Sequence, residues 1–107
     1  MENKILGLLG LARRGGAIII GDSILPLFGR VKSLFIIIAK DCSENTKKKW
    51  HDKCSYYNIP CIEYETKSNI GHSLGKQEVS VIGITNTNMI KKINQLLKDG
   101  DEDGTNE

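Results

Sequence analysis

Leu34-Phe35-Ile36-Ile37-Ile38-Ala39 is the stretch on which the fold turns. It is apolar at every position and β-branched through its middle, and it is too short for an ordinary helix. A strand that does not alternate has both faces covered, so helices are expected above and below it. Three further β-rich runs lie on either side: Ala17–Ile20, Cys61–Tyr64 and Val79–Ile84. The intervening segments carry helical signals. Residues 3–14 place Ile5, Leu8, Leu9 and Ala12 at i, i+3, i+4 and i+7, with Asn3 able to cap and Gly15-Gly16 to terminate. Asp22 or Ser23 can start a short second helix reaching about Phe28, with Pro26 tolerable near its first turn. Asp41 or Ser43 caps a third through about Tyr57, striped by Trp50, Cys54 and Tyr57 and broken at Asn58-Ile59-Pro60. Residues 68–74 form a short helix closed by Gly75. Asn86 or Thr87 starts a last one, which buries Met89, Ile90, Ile93, Leu96 and Leu97 and ends near Lys98. Strands and helices alternate, which predicts an α/β protein: a three-layer α/β/α sandwich around a mostly parallel sheet.

The chain has 107 residues and a formal net charge of +2. That length is one domain, assigned to residues 1–98, followed by an acidic tail at 99–107. The division follows the charge. Five of the 13 acids lie in 99–107, so residues 1–98 set 15 Lys and Arg against 8 acids, a net of +7. A basic body suits a polyanionic partner, and an acidic tail of this kind is expected to be solvated and disordered. The plainer alternative is that lysines keep a small protein soluble.

Cys42, Cys54 and Cys61 are odd in number and form no CxxC pair. They read as small core residues of a protein in a reducing compartment, here the cytoplasm. With only His51 and His72 besides, neither a metal nor a cofactor is expected. The apolar run Ile5–Ala12 resembles the start of a signal peptide, but Arg13-Arg14 stand where a cleavage site belongs, and a packed helix is the better reading. No run reaches membrane-spanning length. Gly71–Gln77 fails as a phosphate-binding loop in glycine spacing, in the missing Ser/Thr and in the strand that follows. No nucleophile, base and orienting group stand together in sequence, so no enzyme is expected.

The informative constellation is a set of loops. Gly21-Asp22-Ser23 opens the second helix, whose free amides can meet phosphates or base edges. Lys40, Asp41 and Ser43 follow the strongest strand, and Gly75-Lys76-Gln77-Glu78 precedes the last one. These loops are expected to converge at one end of the sheet. The alternative is three ordinary capped connections.

Four stretches, LLGLARRGGAIIIGDS, FIIIAKDCSENTKKK, CSYYNIPCIEY and NIGHSLGK, resemble the kink-turn RNA-binding ribosomal-protein family, with its small bacterial YlxQ-like branch as the nearest match. The resemblance covers about residues 4 to 98. It implies a small mixed four-stranded sheet inside the sandwich and a non-enzymatic protein that clasps a kinked RNA stem. In such proteins the second helix enters the groove by its N-terminus, and a loop near the last strand covers bulged bases. Carried onto this chain, the RNA-binding residues are Gly21, Asp22, Ser23, Arg30, Lys40, Asp41, Ser43, Lys47, Gly75, Lys76 and Glu78. Ile24 and Leu27 stand where the family motif places Glu and Lys. The implied partner is a structured RNA, ribosomal or regulatory, with no DNA and no membrane, bound by a monomer. The competing function is a protein-interaction module on the same scaffold, presenting Ile18–Ile20, Ile24 and Leu27 as an exposed apolar patch.

Overall fold

The Leu34–Ala39 run lies in the middle of the sheet, as its unbroken hydrophobicity requires. In a computed structural model, which describes the backbone of residues 3–106 and the side chains of 3–99, strand β2 (Phe35–Ile38) is buried at every position. The chain order is α1 (Lys4–Arg14), β1 (Ile18–Ile20), a 3-10 helix (Gly21–Leu27), β2, α2 (Glu44–Tyr57), β3 (Cys61–Glu63), α3 (Lys67–Ser73), β4 (Val81–Ile84) and α4 (Thr87–Asn106). The strands lie in the order β1-β4-β2-β3.

The sheet is mixed, and its pairing corrects the mostly parallel expectation. β4 runs antiparallel to both β1 and β2, while β2 and β3 are parallel. A continuous apolar strand reports two covered faces, not the direction of its neighbours, so periodicity alone could not supply this. The side chains divide between two helical layers. Gly83 faces Ile24 and Leu34, and an added Cβ there would come within 3.2–3.3 Å of them. Through the register, Ile19, Ile36 and Cys61 share that face, beneath the 3-10 helix and α2. Ile82, Ile84 and Ile37 point to the other face, which α1, α3 and α4 cover.

The capping signals are realised in hydrogen bonds. Asn3 accepts from the Leu6 N–H, Ser43 from Thr46 and Thr66 from Asn69. The second helix departs from expectation. It is a seven-residue 3-10 helix entered from Ile20, with no side-chain cap. Its tighter winding accommodates Pro26, which has no N–H to give an α-helical ladder. The α4 backbone continues past the expected end near Lys98 to Asn106. The expectation of a solvated tail at 99–107 falls mostly on side chains outside the described residues.

Candidate nucleic-acid interface

The sheet topology gathers the loops at one end. Because β1 and β4 are antiparallel with Ile20 opposite Ile82, the Gly21 turn lies beside the start of β4. Because β2 and β4 are antiparallel with Ile38 opposite Val81, the end of β2 reaches the same place. The Ala39 N–H donates to the Ser80 carbonyl at 2.7 Å, and the Lys40 N–H donates to Glu65 at 2.7 Å. Asp41 accepts from the Lys67 N–H at 2.8 Å, which ties the Asp41 turn to the start of α3. The Val79 N–H donates to Lys67 at 3.0 Å and brings in the Gly75–Glu78 loop. Gly21 has φ +62°, a turn that an L-side chain adopts only with strain.

Three shallow depressions run into one another along this surface. The first is walled by Gly21, Asp22, Thr46, Lys49 and Glu78–Val81. The second shares Glu78 and is lined by Ser68 and Gly75–Gln77. The third shares Gly75 and adds Arg13, Arg14 and Gly10. The Arg13 guanidinium donates to the Leu74 carbonyl, anchoring α1 to this rim. Asp22, Gly75, Lys76 and Glu78, which line these depressions, are exposed, as are Ser23, Lys40 and Asp41 in the adjoining turns. Lys40, Lys76 and Arg14 have no carboxylate partner among the described residues. Two of the acids are engaged: Asp41 by the Lys67 N–H, and Asp22 by Lys49 Nζ at 3.3 Å.

Three expected contacts are placed differently. Arg30 follows Gly29, where an added Cβ would meet the Tyr57 ring at 3.2 Å at the far end of α2, so it lies away from the loop surface. Lys47 turns toward β3, where it lies 3.6 Å from Glu63 and 3.7 Å from Glu44 with a side chain only 19 % exposed. Ser43 is exposed, but its hydroxyl caps α2 and contacts Thr46 Oγ1 at 3.0 Å. Lys49 and Thr46, absent from the residues expected from sequence, line the first depression. A signal for Lys49 does exist, since a helix capped at Ser43 and buried at Trp50 turns position 49 toward the flank of the stripe.

The apolar-patch alternative required exposed aliphatics. Ile24 is 0 % exposed and Ile18 is buried, while Ile19, Ile20 and Leu27 are half-buried and packed against the core. Ile24 therefore serves the sandwich interior.

A mixed four-stranded sheet sandwiched by helices, with its loops gathered into one exposed surface, defines an α/β/α scaffold of the ribosomal-protein type. This chain belongs to the ribosomal protein L7Ae/L30e/S12e/Gadd45 family, whose model matches residues 3–94. It is 38 % identical over 98 residues to the RNA-binding protein YlxQ of Enterococcus faecium, covering 91 % of this chain and 94 % of that protein. It is 33 % identical over 91 residues to the RNA-binding protein YlxQ of Bacillus subtilis (strain 168), covering 84 % and 91 %. A solved structure of a protein of unknown function from Bacillus halodurans C superposes with a TM-score of 0.82 at 33 % identity, covering 91 % of this chain and 99 % of that one.

Proposed function

We propose that this chain is a cytoplasmic, non-enzymatic binder of structured, kink-turn-like RNA, associated with the ribosome and acting as a monomer. The observation that carries the reading is the hydrogen-bonded convergence of the Gly21, Asp41 and Lys76 loops on one exposed surface. Its chemistry suits a bent polyanion. Lys40, Lys76, Arg14 and Lys49 supply charge, and the backbone at Gly21–Ser23 and Gly75 offers close approach without large side chains. The family membership and the RNA-binding relatives support RNA over other polyanions. Gly21, Asp22, Ser23, Lys40, Asp41, Gly75, Lys76 and Glu78 form the contact set, with Lys49 added. Among the described residues no helix is long and apolar enough to cross a membrane.

The test is a titration of a kink-turn RNA and a plain duplex of equal length at two salt concentrations. Structural specificity predicts tighter binding of the kinked RNA at both, with affinity for each falling as counterions compete. Equal affinities would remove the kink-turn reading. No binding at low salt would remove RNA binding altogether.

A further inference from the structure

Outside the loop surface, the crossover from α2 to β3 assembles a group that the spacing in sequence conceals. His51 stands between Cys61 and Glu63, with Nδ1 3.4 Å from the Cys61 Sγ and Nε2 2.8 Å from the Glu63 carboxylate. A thiol, an imidazole and a carboxylate meet here, although they do not stand together in sequence. The protonation pattern follows from donor and acceptor capacity. An ionised carboxylate only accepts, so Nε2 carries the hydrogen shared with Glu63. In the neutral ring that leaves Nδ1 as an acceptor facing the thiol. The His51 hydrogen bond, aided by Lys47 at 3.6 Å, holds the Glu63 carboxyl below its ordinary value against a smaller opposing effect of burial.

A second thiol completes the group. Cys54 is buried on α2 and neighbours Cys61. Burial first, then the neighbouring Cys61, push the Cys54 thiol up to about 12, so it stays protonated at neutral pH. Cys61 is half-buried on β3, the edge strand beside β2. Cys42 provides an internal contrast: it is buried, donates to the Ser80 carbonyl, and has no imidazole hydrogen-bonded to it among the described residues.

We propose that Cys61 is a peroxide-reactive thiol, with His51 as its base, Glu63 as the residue that positions His51, and Cys54 as the resolving thiol. His51 Nδ1 takes the Cys61 proton. The thiolate attacks one oxygen of a hydroperoxide and forms an S–O bond as the O–O bond breaks. The departing oxygen takes the proton back from His51 and leaves as water or alcohol, and Cys61 becomes a sulfenic acid. Sulfur loses two electrons and the peroxide gains them. The Cys54 sulfur then attacks the Cys61 sulfur as the S–H bond breaks and its proton passes to the departing hydroxyl, so water leaves and a Cys54–Cys61 disulfide closes.

The experiment treats the intact chain with hydrogen peroxide, then maps non-reduced peptides and traps sulfenic acid with dimedone. The parent should lose two of its three free thiols and yield the Cys54–Cys61 disulfide, with Cys42 still alkylatable. Cys54→Ser should instead accumulate dimedone-labelled Cys61. His51→Ala should slow Cys61 oxidation by at least about tenfold, and added imidazole should restore part of the rate in that variant while leaving the parent unchanged. Glu63→Gln should slow oxidation less than His51→Ala does. The proposal is overturned if Cys42 and Cys61 oxidise at the same rate. It is equally overturned if His51→Ala retains the parent rate, or if no disulfide forms while Cys61 over-oxidises. Circular dichroism before treatment establishes that each variant is folded. Should Cys54→Ser fail that check, the His51→Ala and imidazole results decide.

Discussion

Single residues control this molecule where space or charge leaves no alternative. Gly71 is the sharpest case of space. A Cβ there would lie 2.7 Å from the Gln77 carbonyl oxygen and 2.9 Å from the Glu78 Cα, both backbone atoms. Gly71→Ala must therefore push the Lys76 loop off α3. We expect a loss of about 1–3 kcal/mol in urea unfolding, with RNA affinity falling as well if the displaced loop belongs to the proposed contact surface. Glu63 is the case of charge. Its carboxyl titrates below the ordinary carboxylate value in the folded chain, so its contribution is present above the unfolded value and is lost as pH falls through the folded one. The difference in denaturation midpoint between the parent and Glu63→Gln should accordingly be largest near neutrality and vanish in acid. A difference that grows below about pH 4 would contradict the assignment. Neither feature is legible in the sequence. Gly71 stands out there only in a loop that fails as a phosphate cradle, and Glu63 meets His51 because α2 folds back over β3, although 12 residues separate them.

At the scale of elements the sequence is most informative where local chemistry decides. The caps of α1 and α2 fall where Asn3 and Ser43 suggest, because an N-cap hydrogen bond spans only three residues. Removing the Ser43 hydroxyl in Ser43→Ala should cost about 1 kcal/mol in unfolding free energy, and it should also loosen the turn that holds Lys40 and Asp41. At the other end of α2, Asn58 caps with φ 57° and ψ 43°, in the left-handed region. Asn58→Gly should be within a few tenths of a kcal/mol of the parent, whereas Asn58→Ala should lose about 1 kcal/mol. Equal stabilities would show that this conformation is not what ends the helix. The 3-10 segment reads as an α-helix in sequence because Asp22, Ser23 and Pro26 are all good first-turn residues. Ile24 packs over Gly83 in the sheet beneath it, and that contact is invisible from within the segment.

The whole molecule sets the range over which a polyanion is felt. The sandwich layers follow from alternating elements, but the strand order β1-β4-β2-β3 depends on pairings between residues far apart in sequence. The same pairings bring Lys40 and Lys76 onto one surface and send Arg30 to the opposite end of α2, a separation that charge counting along the chain could not make. This separation is testable. Removing one cation that neutralises a phosphate should lower the slope of log affinity against log salt by about 0.7–0.9. Lys76→Ala and Lys40→Ala should each weaken binding of a kink-turn RNA, and the double variant should lower the slope by about twice that of either alone. Arg30→Ala should leave both affinity and slope close to the parent, because solvent charges beyond a Debye length of about 8 Å at physiological salt are largely screened. A calorimetric or fluorescence titration of these variants and the parent across salt separates the outcomes. If Arg30→Ala reduces the slope as much as Lys76→Ala does, the RNA lies along the 3-10 helix and the aromatic end of α2, and the loop surface is not its principal seat.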